Sequence, residues 1–269
     1  MPVSLDEFQV APFTAAGFTH DVYRSGDGPA VVVIAEIPGI TPKVLDFAGR
    51  VRALGASIVM PHLFGEPGKP PSAGYALKSL AQVCVSREFS CLATGSVGPV
   101  TGWLRALGAA EHRRCGGPGI GVVGMCFTGN YALAMAVDDI VVAPVLSQPS
   151  LPFPLGKARQ GAVAVSEGDV ATLKARAERD GTTVLGLRFT GDMACREPRF
   201  DTLRRTLGDR FVAVEIDSSP GNRYGHPRNA HSVLTEHLVD EDGSPTKAAL
   251  HQVLALLEER LGLNASKQP

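Results

Sequence analysis

One segment of this 269-residue chain has the makings of a covalent catalyst: Gly124-Met125-Cys126-Phe127-Thr128-Gly129. It lies between an apolar run at 120–125 and a stretch of helical pattern through Tyr131–Val137. A strand that turns sharply into a helix holds the residue at the turn in a strained backbone conformation and presents its side chain at the sheet end. The neighbours two positions away crowd that turn, so small residues are favoured there, and Gly124 is one. A helix starting at the turn aims its positive end at the sulfur, favouring a thiolate and a developing oxyanion. The backbone N–H of Phe127 is then an oxyanion donor. The competing reading of Cys126 is a buried apolar filler, the usual fate of a free cysteine. The strand–turn–helix setting favours the nucleophile. A second glycine-rich run, Gly116-Gly117-Pro118-Gly119-Ile120-Gly121, precedes a strand instead of following one. It fails as a phosphate cradle and reads as a turn.

A cysteine nucleophile needs a base, and the base needs a group that orients it. Asp192, in Phe189-Thr190-Gly191-Asp192, follows an apolar run at 183–189. A carboxylate just past the C-terminal end of a parallel strand lies on the rim where such sheets bind ligands. An ordinary turn or helix cap is the alternative. Asp201 is a poorer candidate because it falls within the next helix. Two histidines compete for the base. His231 stands in Asn229-Ala230-His231-Ser232, directly before an apolar segment, and His226 lies in the turn Tyr224-Gly225-His226-Pro227. Position favours His231. The order nucleophile, acid, histidine is that of α/β-hydrolases. The other five histidines, at 20, 62, 112, 237 and 251, read as surface or structural groups.

The elements that must position these groups follow from hydrophobic pattern. The run AVVVIAE at 30–36 is continuously apolar up to its glutamate, as expected of a parallel strand buried on both faces. Further strands are expected at 56–60, 120–125, 140–145, 162–166, 183–189 and 211–216, with one or two edge strands before Gly28. Thr41 with Pro42 signals a helix start, running to about Leu54. Helical pattern recurs from Tyr75 to about Leu107, broken around Gly95–Pro99, and over 169–180, 197–207 and 245–261. Strands alternating with helices predict an α/β architecture, a doubly wound, mainly parallel sheet flanked by helices. No linker or repeat divides the chain, so one domain over 1–269 is expected.

Composition removes several function classes. A formal net charge of −1 gives no overall attraction to nucleic acid or an anionic membrane. No apolar run reaches the ~18 residues that a membrane span requires. The opening MPVSLDEFQV has neither the basic nor the apolar region of a secretory signal. The five cysteines form an odd set without a CxxC pair, which fits a reduced, cytoplasmic setting. With no CxxC and no HExxH, neither a metal nor another cofactor is expected.

Four segments, A-E-I-P-G-I at 35–40, G-M-C-F-T-G at 124–129, T-G-D at 190–192 and A-H-S at 230–232, resemble the dienelactone hydrolase family in order and spacing over nearly the whole chain. The resemblance implies an α/β-hydrolase fold and a triad of Cys126, His231 and Asp192. It also implies that Glu36, after the first central strand, contacts the resting thiol, and that Ile37 gives the second oxyanion N–H. A charge ending an apolar strand is costly unless paired or functional, which agrees with a role for Glu36. Two departures stand out. Thr128 replaces a glycine usual in the elbow, and the arginine usual shortly after the histidine is absent, its stretch reading Ser232-Val233-Leu234-Thr235-Glu236.

The expected activity is hydrolysis of a small ester or lactone through a cysteine thioester. A thioesterase or acyltransferase on the same fold is one alternative, and a non-catalytic thiol-sensing module is another. Arg87, Arg223 and His226 are candidate substrate contacts, and with Arg228 they suggest an anionic or strongly polar acyl group.

Overall fold

The computed structural model describes residues 3–86, 89, 98–151, 160–163 and 165–263. Eight strands form one sheet: β1 (Gln9–Ala15), β2 (Phe18–Ser25), β3 (Ala30–Ile34), β4 (Ser57–Pro61), β5 (Ile120–Met125), β6 (Val141–Ser147), β7 (Val184–Phe189) and β8 (Phe211–Ile216). Their order across the sheet is β1-β2-β4-β3-β5-β6-β7-β8. The pairs β1/β2 and β2/β4 are antiparallel, and every pair from β4 through β8 is parallel.

The central strands are apolar throughout because both faces are covered. All residues of β3, β4, β5 and β7 are buried. Alternate side chains enter different cores. Val32, Ile34 and Val122 face one cluster, and Val31, Val33 and Val123 face the other. The first cluster is closed by helices α3 (Val100–Cys115), α4 (Gly129–Met135), α5 (Glu167–Asp180) and α6 (Glu197–Leu207), through Trp103, Leu104, Tyr131, Leu173 and Phe200. The second is closed by α1 (Pro42–Ala53) and α7 (Pro245–Leu261), through Phe47, Val51, Leu250 and Leu257. Helix α2 (Ala73–Val85) follows β4. Thr41 caps α1 as expected, accepting the Val44 N–H at 3.4 Å; Ser72 caps α2, accepting that of Tyr75 at 3.3 Å, so that helix starts two residues before the expected Tyr75.

Two expectations need correction. Residues 162, 163, 165 and 166 are not a strand. β6 pairs directly with β7, Val145 opposite Leu185, so no sheet position is left between them. Ser166 instead caps α5, its hydroxyl accepting the Asp169 N–H at 3.1 Å. Helix α3 also runs on past Leu107 to Cys115. Gly108 does not stop it, because the helix packs closely there. A Cβ at that position would sit 2.9 Å from Ile120 Cδ1. The break expected around 95–99 falls largely outside the described residues.

Candidate active site

β5 delivers the elbow. Cys126 follows Met125 at the strand end with φ +59°, a left-handed conformation that costs a non-glycine residue strain. The flanking glycines are needed for two different close approaches. A Cβ on Gly124 would lie 2.3 Å from the Thr128 carbonyl oxygen, and one on Gly129 would lie 3.0 Å from Pro149 Cα. Thr128, the departure from the family pattern, is fully buried and cross-links two strands. Its hydroxyl accepts the Met125 N–H at 2.9 Å and has two carbonyls within donating distance, Met125 at 2.7 Å and Ile34 on the neighbouring strand at 2.8 Å. β3 and β5 are neighbours with Ile34 opposite Gly124. Ile37 and Phe127 each lie three residues past that pair.

Asp192 sits just past β7 and is buried. One carboxylate oxygen accepts the N–H groups of Ala194 at 2.8 Å and Cys195 at 3.1 Å. The other is 2.7 Å from His231 Nδ1. Cys126 lies close enough to bear on the imidazole electrostatically. Burial alone would lower the pKa of His231, but the sulfur's charge and the Asp192 carboxylate outweigh it and raise it well above the ordinary value. The three groups expected from the sequence therefore meet at one place. His226 does not join them. It packs edge-on to Phe189, with ring centroids 5.0 Å apart, and burial lowers its pKa. His237 has a local role: its Nδ1 accepts the backbone N–H groups of His231 at 3.4 Å and Ser232 at 3.2 Å.

The resemblance puts Glu36 against the resting thiol, and the structure gives its carboxylate other partners. Glu36 is buried and accepts from Ser232 Oγ at 2.6 Å, from the Thr235 hydroxyl and from Gln148 Nε2 at 3.2 Å. Thr235 thus occupies the carboxylate from the stretch where an arginine was expected. Gln148 also accepts the Val233 N–H at 3.2 Å. The network ties the histidine loop to the ends of β3 and β6. The sulfur's hydrogen-bond partner is Ser150, whose Oγ lies 3.1 Å from Sγ.

A cavity of about 270 Å³ opens beside this centre, lined in part by Glu36, Ile37, Pro38, Ser72, Ser232 and Glu236. Among its lining residues it has two carboxylates and no basic side chain. Burial and the neighbouring Glu36 raise the pKa of Glu236. Arg223 and Arg228 are exposed, Arg223 with its guanidinium 5.5 Å from the centre of the Tyr224 ring. Arg87 lies outside the described residues. Among the described residues no group of three or more His, Cys, Asp or Glu is placed to hold a metal, and no helix is long and apolar enough to cross a membrane.

Sequence reasoning missed Gln148, Ser150 and the anchoring by Ser232 and Thr235. The only available signal was the polar stretch Ser147-Gln148-Pro149-Ser150 at the end of β6, the strand beside the one that leads to Cys126.

No curated protein matches this sequence. Solved structures do. A protein from Klebsiella pneumoniae subsp. pneumoniae MGH 78578, provisionally identified as a dienelactone hydrolase, is 16% identical, with a TM-score of 0.60 over 94% of this chain and 99% of that one. A dienelactone hydrolase-like promiscuous phosphotriesterase from metagenomic libraries is 16% identical, with a TM-score of 0.59 over 95% and 98%. Carboxyl esterase 2 from Tuber melanosporum is 14% identical, with a TM-score of 0.58 over 95% and 87%. At such identities these neighbours establish the fold. The profile of the dienelactone hydrolase family matches residues 18–261. The chain therefore belongs to the dienelactone hydrolase family, carboxylic ester and lactone hydrolases of the α/β-hydrolase fold.

Proposed function

We propose that the chain hydrolyses a small carboxylic ester or lactone through a thioester on Cys126. The observation that carries this reading is the His231–Asp192 pair, 2.7 Å apart, whose imidazole feels the sulfur of Cys126 at a strained elbow. His231 takes the thiol proton, and the sulfur attacks the substrate carbonyl. The carbonyl oxygen becomes an oxyanion facing the Ile37 and Phe127 N–H groups. Collapse breaks the ester C–O bond, and the leaving alkoxide takes the proton from His231. A water then loses a proton to His231 and attacks the thioester. The acid leaves, and the sulfur recovers its proton from the imidazole. Asp192 fixes the tautomer and supports the imidazolium without itself being protonated. These groups complete both half-reactions without a metal or an organic cofactor.

The test is a panel of small esters and lactones offered to wild type and Cys126→Ala. Turnover by wild type, loss in the variant, and an acyl adduct on Cys126 by mass spectrometry support the reading. Full activity in Cys126→Ala overturns it.

A further inference from the structure

The turn after β6 brings a hydroxyl group to the reacting sulfur, and the elbow is shaped to let it in. Gly129, lacking a side chain, admits Pro149 so closely that a Cβ would stand 3.0 Å from Pro149 Cα. Ser150 follows, and both sides of its backbone are tied to the elbow. Its N–H donates to the Cys126 carbonyl at 3.1 Å. Its own carbonyl accepts from Asn130 Nδ2 at 2.7 Å, and the same amide donates to the Phe127 carbonyl at 2.9 Å. Asn130 is buried on the first turn of α4, so the clamp belongs to the nucleophile's own helix. With its backbone held and its side chain buried, Ser150 has only its hydroxyl rotor left to adjust. That hydroxyl lies 3.1 Å from Cys126 Sγ.

We propose that Ser150 is a catalytic residue outside the triad, a hydrogen-bond donor that stabilises the Cys126 sulfur in its anionic form. The inference rests on Cys126 being the nucleophile. Ser150 then supplies the sulfur with a donor in addition to the imidazole proposed to take its proton. The proton of Ser150 stays on its own oxygen throughout, and no bond to that oxygen forms or breaks. When the sulfur is acylated its lone pairs become poor acceptors, and the hydrogen bond weakens. When the second tetrahedral intermediate collapses, the C–S bond breaks and the electron pair returns to sulfur. The hydroxyl stabilises that leaving group. A donor aimed at charge that develops in the transition state contributes more than one aimed at the ground state. A merely structural serine filling the turn would leave sulfur chemistry unchanged once the fold was intact.

The experiment follows alkylation of Cys126 by iodoacetamide across a pH series, read peptide by peptide so that the other cysteines do not interfere. Wild type, Ser150→Ala and Ser150→Thr are compared, with melting temperature as the control for folding. A hydrogen bond to a charged group corresponds to about a 10- to 100-fold effect. Ser150→Ala is expected to shift alkylation to higher pH by roughly one to two units and to lower kcat by a similar factor. Ser150→Thr, which keeps the hydroxyl, is expected to restore both. An alanine variant that matches wild type in alkylation profile and kcat overturns the role of Ser150. So does a threonine variant that melts like wild type but behaves like alanine. Neither result touches the nucleophile, which is tested separately by Cys126→Ala.

Discussion

His231 and Asp192 stand 39 positions apart in the chain, yet Nδ1 and Oδ2 are 2.7 Å apart at the open end of the sheet. His226, only five positions before His231, packs on Phe189 instead. The pair separates two histidines that look alike in sequence. His231→Ala is expected to lower kcat by about 10²- to 10⁴-fold. His226→Ala is expected to affect stability far more than kcat. Steady-state kinetics of both variants decide it, and a dead His226→Ala beside a healthy His231→Ala would refute the assignment. Asp192→Asn leaves the shape intact but disfavours the working tautomer, with an expected loss on the order of 10⁴-fold.

The raised pKa of His231 has a consequence for stability. A histidine whose folded-state value lies above its unfolded one stabilises the protein fully below the unfolded value, here 6.5. That contribution falls as the pH rises from there through the raised value. The melting temperature of wild type should therefore exceed that of His231→Gln most at acidic pH, with the gap closing towards alkaline pH. A gap that widens with rising pH contradicts the ion-pair geometry.

Thr128 bridges the Met125 N–H and the Ile34 carbonyl, holding together the strands that carry the proposed oxyanion donors. Thr128→Val keeps the shape and removes the hydroxyl, leaving two buried backbone groups without that partner. The expected cost is about 1–3 kcal/mol in denaturant unfolding. An accompanying drop in kcat at unchanged KM is expected if the oxyanion hole loosens. A variant as stable and active as wild type would show that the bridge is dispensable.

Glu36 faces three donors, from Ser232, Thr235 and Gln148. In Glu36→Gln one carboxylate oxygen becomes an NH₂ group that meets donors instead of acceptors. The expected result is a loss of about 1–3 kcal/mol in stability and faster hydrogen exchange across residues 230–237. Unchanged exchange in that loop would remove the anchoring role. A change confined to alkylation of Cys126 would return Glu36 to the thiol.

The cavity beside the centre carries Glu36 and Glu236 with no basic residue in its lining. Carboxylates repel a free carboxylate on the substrate. Of a matched pair of esters, the neutral isostere is expected to have the higher kcat/KM, and Glu236→Gln to narrow the difference. A preference for the carboxylate ester that weakens with salt would instead point to a cation bound near the centre.

The elbow was legible in the sequence because its determinants are local. A buried strand, a glycine two positions before Cys126 and a helix beginning three positions after it all lie within one short segment. The sheet was legible for a similar reason, since strands covered on both faces must be apolar along their whole length. What composition could not reveal was which polar groups the fold brings to the sheet end. Glu36 bonds residues 112, 196 and 199 positions away, and a chain can make such contacts only after every crossover has been laid down. Arginines in the histidine loop suggested a cationic mouth, but the loop turns Arg223 outward and brings Ser232 and Thr235 inward. The sequence by itself determined the strand–turn–helix setting of Cys126 and the chain order of the proposed triad. Tertiary structure alone decided what anchors the His231 loop and that a serine stands beside the sulfur, and it gave the distance that the preference for His231 lacked, because hydrogen bonds depend on distances that sequence separation does not encode.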